Sequence, residues 1–353
     1  MTKHIALFMT PSRVGGGVTK SMLSLASAFA ERGHRVDLVL SRAEGPYLQQ
    51  VPSSVKIVAL KAASGGLRRL RTLSVDYHGF RALLMSLLLV RKFRYLPDLV
   101  QYLQQERPSV LLSAKTYPNL AALWARRLAG TPTRVVVSER TNLSQEITLH
   151  SQERYWLWQF LPLMIRRVYP WADAIVAVSN GVADDLSRTT GLPRKRIATI
   201  YNPVVTSELQ ALSHASLDHP WFAPDSPPVV LGAGRLEAQK DFPTLIKAFA
   251  RVQAAREARL VILGEGKDRA VLEALARELG VASHVDLPGF VANPFPYMAC
   301  ANVFVLSSVY EGLPGVSIHG RTPLLQCPQA WRTMSHASRD CRESTSELLR
   351  IRF

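Results

Sequence analysis

The sequence predicts an α/β protein built of two parallel-sheet domains in series, and three observations predict it. Short apolar strands alternate with amphipathic helices through residues 1–203. Residues 204–228, rich in Ser, His and Pro and including Pro220, Pro224, Pro227 and Pro228, interrupt that alternation and read as a linker. A second alternation of the same kind begins at Val229 and loses its pattern near Ser317. Strands joined through helices form parallel sheets, because neighbouring parallel strands need a crossover of a dozen or more residues.

Ile5–Met9 is a continuous apolar run and reads as a buried strand. Gly15–Gly17 follows as a loop, and Thr19–Arg32 sets Met22, Leu25, Ala26 and Phe29 on one helical face. Gly33 stops that helix and Arg35–Leu40 supplies the next strand. Val110–Ser113, Arg134–Ser138 and Ala174–Ser179 read as further strands separated by helical stretches, followed by a helix over Asn180–Thr190 and a strand over Arg196–Tyr201. The second alternation runs through a strand from Val229, a helix over Asp241–Ala255, a strand over Leu260–Leu263 and a helix over Lys267–Leu279. It continues with a strand over His284–Leu287, a helix around Pro296–Ala301 and a strand over Val303–Ser307. Residues 317–353 are rich in Ser, Arg, Cys and His, contain no clear strand and read as a poorly patterned tail.

Composition narrows the partners. With 47% hydrophobic and 20% charged residues over 353 positions, the chain has enough material for two packed domains and is not a disordered polymer. Residues 1–200 hold 28 Lys+Arg against 12 Asp+Glu, whereas residues 201–353 hold 15 of each, so the whole excess of +16 lies in the first part. Such a field favours an anionic partner, unless it is a solvated basic face. No nucleic-acid reading module is legible, so nucleic acid is not an expected partner. An anionic membrane surface is. Arg68, Arg69 and Arg71 precede the apolar Phe80–Val90, then come Arg91, Lys92 and Arg94, and Tyr155–Trp158 leads to Arg166 and Arg167. The same stretches also suit core-facing helices with basic flanks. The run Ala82–Val90 is too short to span a bilayer, which needs about 20 residues. Cys300, Cys327 and Cys341 have neither metal-ligand spacing nor a disulfide framework. Together with an amino terminus that enters HIALFM at once, this gives the expectation of a cytoplasmic protein, or one peripheral on the inner face of the membrane.

The chemistry concentrates between Gly232 and Gly315, which reads GAGRLEAQKD, then LVILGEG, then GFVANPFPYMACANVFVLSSVYEGLPG. Arg235, Lys240 and Glu311 fall in loops after apolar strands. Two cations suit a departing diphosphate and a carboxylate suits sugar hydroxyls. Gly264 and Gly266 let a loop pass close to a ligand, or simply make a turn. In the first half, Gly15–Gly17 before a helix offers N–H groups and a positive dipole end to an anion. It is not a nucleoside-triphosphate loop, since Val14 and Thr19 stand where that loop requires glycine, and the G-x-G-x-x-G spacing is missing too.

These segments resemble glycosyltransferases of family 4 with the GT-B fold, over residues 4–316. The series GRL, K, GEG and EGLPGV resembles that family's donor-binding domain, and GGGVTKSMLSLASAFAERGHRVDLV its acceptor domain. IVAVSNGVADDL and IATIYNPV resemble the segments that close the first domain. The resemblance implies two Rossmann-like domains facing across a cleft, residues 1–203 and 229–316. It implies transfer, with retention of configuration, from a nucleotide diphosphate sugar, expected to be a UDP-sugar, to a glycan or lipid-linked acceptor in cell-surface polysaccharide synthesis. Carried over by residue, Arg235 and Lys240 bind the donor diphosphate and Glu311 the sugar. Gly264, Phe290, Val291, Gly312 and Leu313 line the donor, and Gly16 and Gly17 lie beside the diphosphate and the acceptor. Glu139, in the segment SERTN, matches the position of a polar residue near the acceptor hydroxyl. There it orients the hydroxyl or takes its proton, or else it closes a loop network with Arg140 and Asn142. No cofactor and no metal are expected, since Arg235 and Lys240 supply the positive charge.

Two departures stand out. The family's E-x7-E element places a second acid where this chain has His319, which accepts one hydrogen bond where a carboxylate accepts from both ribose hydroxyls. The pattern then stops, which reads as a shifted reading frame or a truncated product with an incomplete second domain, or else as a genuinely divergent ending. The alternative function is accordingly an impaired product that binds anionic membrane surfaces without turnover.

Overall fold

A computed structural model describes residues 2–11, 16–43, 48–61, 93–151, 156–202, 209–313 and 333–335. The chain separates into two units, Met1–Asn202 and Pro203–Phe353.

The first unit opens with β1 (His4–Met9), α1 (Gly17–Glu31) and β2 (Arg35–Leu40). The helix begins two residues before the expected Thr19, so Gly17 belongs to its first turn. It ends as expected: Gly33, at φ +77°, donates its N–H to the Ala30 carbonyl, and His34 donates to Phe29. An edge strand that the sequence reading did not find, β3 (Val55–Ala59), pairs with β2. Only one of its five residues is buried, so it lacks the apolar run that marked its neighbours. Then follow α2 (Leu96–Glu106), β4 (Val110–Ala114), α3 (Thr116–Ala129), β5 (Arg134–Glu139), α4 (Leu143–Ser151), α5 (Leu161–Val168), β6 (Ala174–Ala177), α6 (Asn180–Thr190) and β7 (Ile197–Thr199). Strand β7 is shorter than expected because Arg194–Arg196 form a 3-10 turn instead. All strands are parallel in the order β3-β2-β1-β4-β5-β6-β7. Central strands are covered on both faces, which explains their unbroken apolar runs. Leu7, Met9, Met22, Leu38 and Leu40 form one core cluster between β1, β2 and α1.

The second unit comprises α7 (Leu209–Ser213), β8 (Val229–Ala233), α8 (Phe242–Ala255), β9 (Arg259–Leu263), α9 (Arg269–Glu278), β10 (Val285–Gly289), α10 (Phe295–Cys300), β11 (Val303–Leu306) and β12 (Thr333–Ser335). Its parallel order is β10-β9-β8-β11-β12. Two findings depart from the sequence reading. The described part of the Pro-rich segment folds onto this unit: α7 packs on α10, and Trp221 and Phe222 pack against the core of Val229, Leu231, Phe295 and Phe304. His219 fixes the segment, with Nε2 2.9 Å from Asp286 and its ring edge-on to Trp221, Phe222 and Tyr297. Second, a short strand, β12, lies in the tail where none was legible, pairing with β11 from Phe304↔Thr333 to Leu306↔Ser335. Three residues are too few for a periodic signal; the open edge of β11 supplies the template.

Candidate functional site

In each sheet the strand order reverses at one point, between β1 and β4 in the first unit and between β8 and β11 in the second. Ligands of open parallel sheets bind beyond the carboxyl ends of the strands at such points.

In the second unit the chain leaves β8 through Gly234 and Arg235, makes a 3-10 turn over Ala238–Lys240, and enters α8 with the Asp241 side chain accepting from the Thr244 N–H. The stem of Lys240 lies across Gly234, where an added Cβ would stand 2.9 Å from Lys240 Cε. The Lys240 ammonium donates to Glu311 Oε1, and the Ser308 hydroxyl donates to the same oxygen at 2.7 Å. The backbones are laced together as well. Ser307 donates to the Lys240 carbonyl at 2.6 Å, Val309 N–H to the Gln239 carbonyl at 2.9 Å, and Gln239 Nε2 to the Tyr310 carbonyl at 3.1 Å. Arg235 joins the group, paired with Glu237 at 2.7 Å and reaching Gln239 Oε1 at 3.4 Å. The structure thus gathers Arg235, Lys240 and Glu311, which are separated by up to 76 positions in the sequence. The Lys240 and Glu311 side chains are 15% and 12% exposed, and Arg235 is 34% exposed. An ammonium has three donors, so Lys240 can hold Glu311 and still meet a phosphate oxygen, while Arg235 presents the more open cation.

The remaining expected donor contacts fall around this group. Gly264 and Gly266 follow β9, but the space they leave is filled by protein. A Cβ on Gly264, at φ +138°, would stand 1.9 Å from the Gly234 carbonyl oxygen, and one on Gly266 would stand 2.3 Å from the Leu236 carbonyl oxygen. These glycines let the loop after β9 pack on the loop after β8, so close approach to a ligand is not what requires them. Phe290 and Val291 follow β10 half-buried, and Val291 packs against the core beside Phe295 and Met298. Gly312 is buried and Leu313 half-buried, next to Glu311. His319 lies outside the described residues, as do Gly15 and Gly315.

In the first unit, Gly16 (φ +152°) caps α1 and Gly17 begins it. Among the described residues, a Cβ on Gly17 would meet nothing within 4 Å. Glu139, expected near an acceptor hydroxyl, is placed in the interior instead. It is 2% exposed, with Oε1 accepting from the Tyr169 hydroxyl and from Asn119 Nδ2 at 3.2 Å, and Oε2 accepting from the Thr116 hydroxyl at 3.0 Å. Burial raises its carboxyl to about 7, against the opposing effect of these hydrogen bonds. Glu139 ends β5 and packs against Thr116 and Asn119 of α3 and against Tyr169, whereas the next residue, just past the strand, packs against Met22 of α1. That residue, Arg140, is 7% exposed, with Nη1 donating to Asn202 Oδ1 and Nη2 meeting Met22 Sδ at 3.4 Å. Its Nε is buried without an acceptor, and no carboxylate lies within ion-pair distance of it among the described residues. Burial pulls its guanidinium down to about 10, against the field of Glu139. Asn142 Oδ1 is buried without a donor. The SERTN segment therefore contains no Glu139–Arg140–Asn142 hydrogen-bond network among the described residues.

Lys115 was not singled out by sequence. It follows β4 at φ +79°, ψ +151°, a region that is nearly exclusive to glycine, and its N–H donates to the Ser138 carbonyl at 3.0 Å. Its signal was positional only: a cation just past a strand and just before a helix. Two other clusters lie elsewhere. His4, Asp37 and Glu106 bring ligand atoms within 4.8 Å of one another, yet Arg35 and Lys56 already pair with Glu106 at 2.5 and 2.8 Å, so positive charge is supplied from within. A cavity of about 270 Å³ at the amino end of β5 is lined by Arg126, Arg127 and Trp171, whose cations are engaged by Asp173 and by the indole face.

Two parallel-sheet α/β units, with cations and an acid gathered beyond the strand ends of one of them, define the GT-B class of fold. Residues 15–208 match the family model described as Glycosyltransferase Family 4, and residues 216–318 match that of Glycosyl transferases group 1. The chain belongs to glycosyltransferase family 4.

Among curated relatives, it is 34% identical over 203 residues to an N-acetylgalactosamine-N,N'-diacetylbacillosaminyl-diphospho-undecaprenol 4-alpha-N-acetylgalactosaminyltransferase of Campylobacter jejuni, covering 57% of this chain and 52% of that one. It is 38% identical over 145 residues to the lipopolysaccharide core biosynthesis glycosyltransferase LpsE of Rhizobium meliloti, covering 41% and 40%. The chain thus spans about half the length of the curated relatives it matches or less. Among solved structures, Anabaena HepE in complex with UDP-glucose superposes with a TM-score of 0.68 at 16% identity, covering 98% of this chain and 90% of that one. WaaG, a glycosyltransferase involved in lipopolysaccharide biosynthesis, gives 0.65 at 16% identity, covering 98% and 89%. At these identities the two structures speak to the fold.

Proposed function

We propose that this chain transfers a sugar, with retention of configuration, from a nucleoside diphosphate sugar to a glycan or lipid-linked acceptor in cell-surface polysaccharide synthesis. The observation that carries the reading is the Lys240–Glu311 pair beside Arg235 at the strand-order reversal of the second sheet. Breaking the bond to the donor sugar loads negative charge on the departing diphosphate, and fixed cations at that point lower the barrier. Arg235 offers a planar fork to the phosphates and Lys240 a point charge. Glu311, held by Lys240 and Ser308, keeps acceptor capacity for sugar hydroxyls. No catalytic step is routed through Glu139, since both its oxygens are engaged inside the core. Nor is a metal or cofactor part of the proposal, because the two cations take the leaving charge. UDP is the nucleotide we favour, because Anabaena HepE is described in complex with UDP and UDP-glucose. The lipid-linked acceptor is supported by the undecaprenol diphosphate in the name of the Campylobacter relative.

An anionic membrane surface belongs to the same reading. Helix α5 exposes Leu163, follows the exposed Phe160, and ends in the exposed Arg166 and Arg167, so apolar and basic groups share one short element. Among the described residues no helix is long and apolar enough to cross a membrane. Calorimetry of the full chain with UDP tests the donor reading: binding that is lost in Arg235→Gln/Lys240→Gln supports it, and no binding by folded protein overturns it. Co-sedimentation with phosphatidylglycerol vesicles tests the surface; retention unchanged in Phe160→Ser/Leu163→Ser removes α5 from the proposal.

A further inference from the structure

Each of the two cations beyond β8 is matched by an acid, and the two pairs differ in how firmly they are held. Lys240 and Glu311 are 15% and 12% exposed, and the Ser308 hydroxyl fixes Glu311 a second time at 2.7 Å. Arg235 and Glu237 are 34% and 32% exposed. Glu237 meets Arg235 Nη1 through both carboxylate oxygens, at 2.9 and 2.7 Å, and its side chain has no other partner among the described residues. The turn that carries Glu237 does not depend on that carboxylate. Glu237 stands before the 3-10 turn Ala238–Lys240 with no side-chain cap bond among the described residues, and the turn closes through the backbone, Lys240 N–H donating to the Glu237 carbonyl at 2.9 Å. A second group orients the guanidinium. Gln239 Nε2 is anchored on the Tyr310 carbonyl at 3.1 Å, and its Oε1 accepts from Arg235 Nη2 at 3.4 Å. A neutral amide can hold a guanidinium without opposing an incoming anion, whereas a carboxylate occupies the same donors and repels the anion.

We propose that Glu237 is a displaceable counter-ion of the donor site. It covers Arg235 while the site is empty and swings out when a phosphate arrives. Only two positions from Arg235 in the chain, it stays close enough to weaken the hold on the nucleoside diphosphate once the sugar has left. The inference rests on the function proposed above, in which Arg235 and Lys240 take the donor, and it concerns how that site lets go. Sugar transfer turns the terminal phosphate from a diester into a monoester, which gains up to one further negative charge near neutral pH. Two fixed cations alone would hold that product more tightly than the donor. A nearby carboxylate offsets the difference, because its repulsion grows with the charge on the phosphate. Lys240 and Glu311 stay paired throughout, being the more buried and the doubly fixed pair.

The test titrates the full chain by calorimetry with two probes: UDP, and UDP methylated on its terminal phosphate, which has one charge fewer and carries no sugar. Glu237→Gln and Glu237→Ala should each tighten UDP by about three- to tenfold, and the methyl ester by less. The gain should shrink as salt is raised to about 0.5 M, where the Debye length is only a few Å. Weaker UDP binding in either variant would make Glu237 the group that positions Arg235, and unchanged binding would show that it does not compete. Both results overturn the proposal. A gain for the methyl ester equal to that for UDP overturns the part played in product release. The donor reading is judged separately by Arg235→Gln/Lys240→Gln: if that folded variant keeps the native UDP affinity, it is the donor reading that has failed.

Discussion

The glycine-rich turns at the carboxyl ends of the two sheets look alike in sequence and differ in what requires them. Beyond β9 the glycines answer to the protein: a Cβ on Gly264 would overlap the Gly234 carbonyl, and one on Gly266 the Leu236 carbonyl. Before α1, a Cβ on Gly17 would meet no atom of the described residues within 4 Å. The charges differ in the same sense. Lys240 is matched by Glu311, whereas Arg140 is buried without a carboxylate. One site is matched by charge from within, and the other holds a buried cation whose partners are neutral.

The largest way to break the comparison is Gly264→Ala. The substitution forces a Cβ to within 1.9 Å of a carbonyl oxygen at φ +138°, and we expect a loss of about 3 kcal/mol or more in denaturant unfolding of the second unit. A Gly264→Ala protein as stable as the native one would show that the two loops are not packed as described. Next, Lys240→Met should weaken UDP binding by about 10- to 100-fold in calorimetry, the worth of a charged hydrogen bond. Combining it with Glu311→Gln should restore thermal stability without restoring affinity, since the stranded acid is removed along with the stranded site.

Glu139 gives a smaller, pH-dependent effect. Its carboxyl is raised from 4.5 to about 7, so between these values the folded state binds the proton more tightly than the unfolded state. Its contribution to stability is therefore full below the unfolded value and is lost as pH rises through about 7. Glu139→Gln should flatten that part of the stability profile while leaving UDP affinity unchanged. A flat profile in the native protein would show that this carboxyl is not perturbed. The smallest effect is expected from Gly17→Ala, which should change stability by less than about 1 kcal/mol, toward a more stable helix; a loss of several kcal/mol in denaturant unfolding would show that the space beside Gly17 is filled.

Much of the fold was legible because a parallel sheet buried on both faces writes each strand as an unbroken apolar run. Ile5–Met9 and the strand from Val229 stood out for that reason, and Arg35–Leu40 did so despite Asp37 in its middle. Strand β3 was not legible because only one of its five residues is buried, and β12 because three residues carry no period. The Pro-rich segment looked like a linker because its packing depends on an isolated trio, His219, Trp221 and Phe222, with no period to betray it. At the site, Arg235, Lys240 and Glu311 were visible as charges placed after apolar strands. That Lys240 and Glu311 bond to each other was not, because no spacing encodes a contact across 71 residues. Glu139 and Arg140 show the limit most clearly: adjacent in sequence and both buried, they meet different partners, Tyr169, Asn119 and Thr116 for the first and Met22 and Asn202 for the second, and no spacing encodes those contacts.

The strand ends of the second sheet are held to bind a nucleoside diphosphate through Arg235 and Lys240, and everything else in the proposed function depends on that. Titrating the full chain with UDP, alongside the Arg235→Gln/Lys240→Gln variant whose folding has been checked by circular dichroism, tests it most directly. Saturable binding by the native protein is expected, with a loss of at least about tenfold in the variant. Equal affinity in the two folded proteins would contradict it.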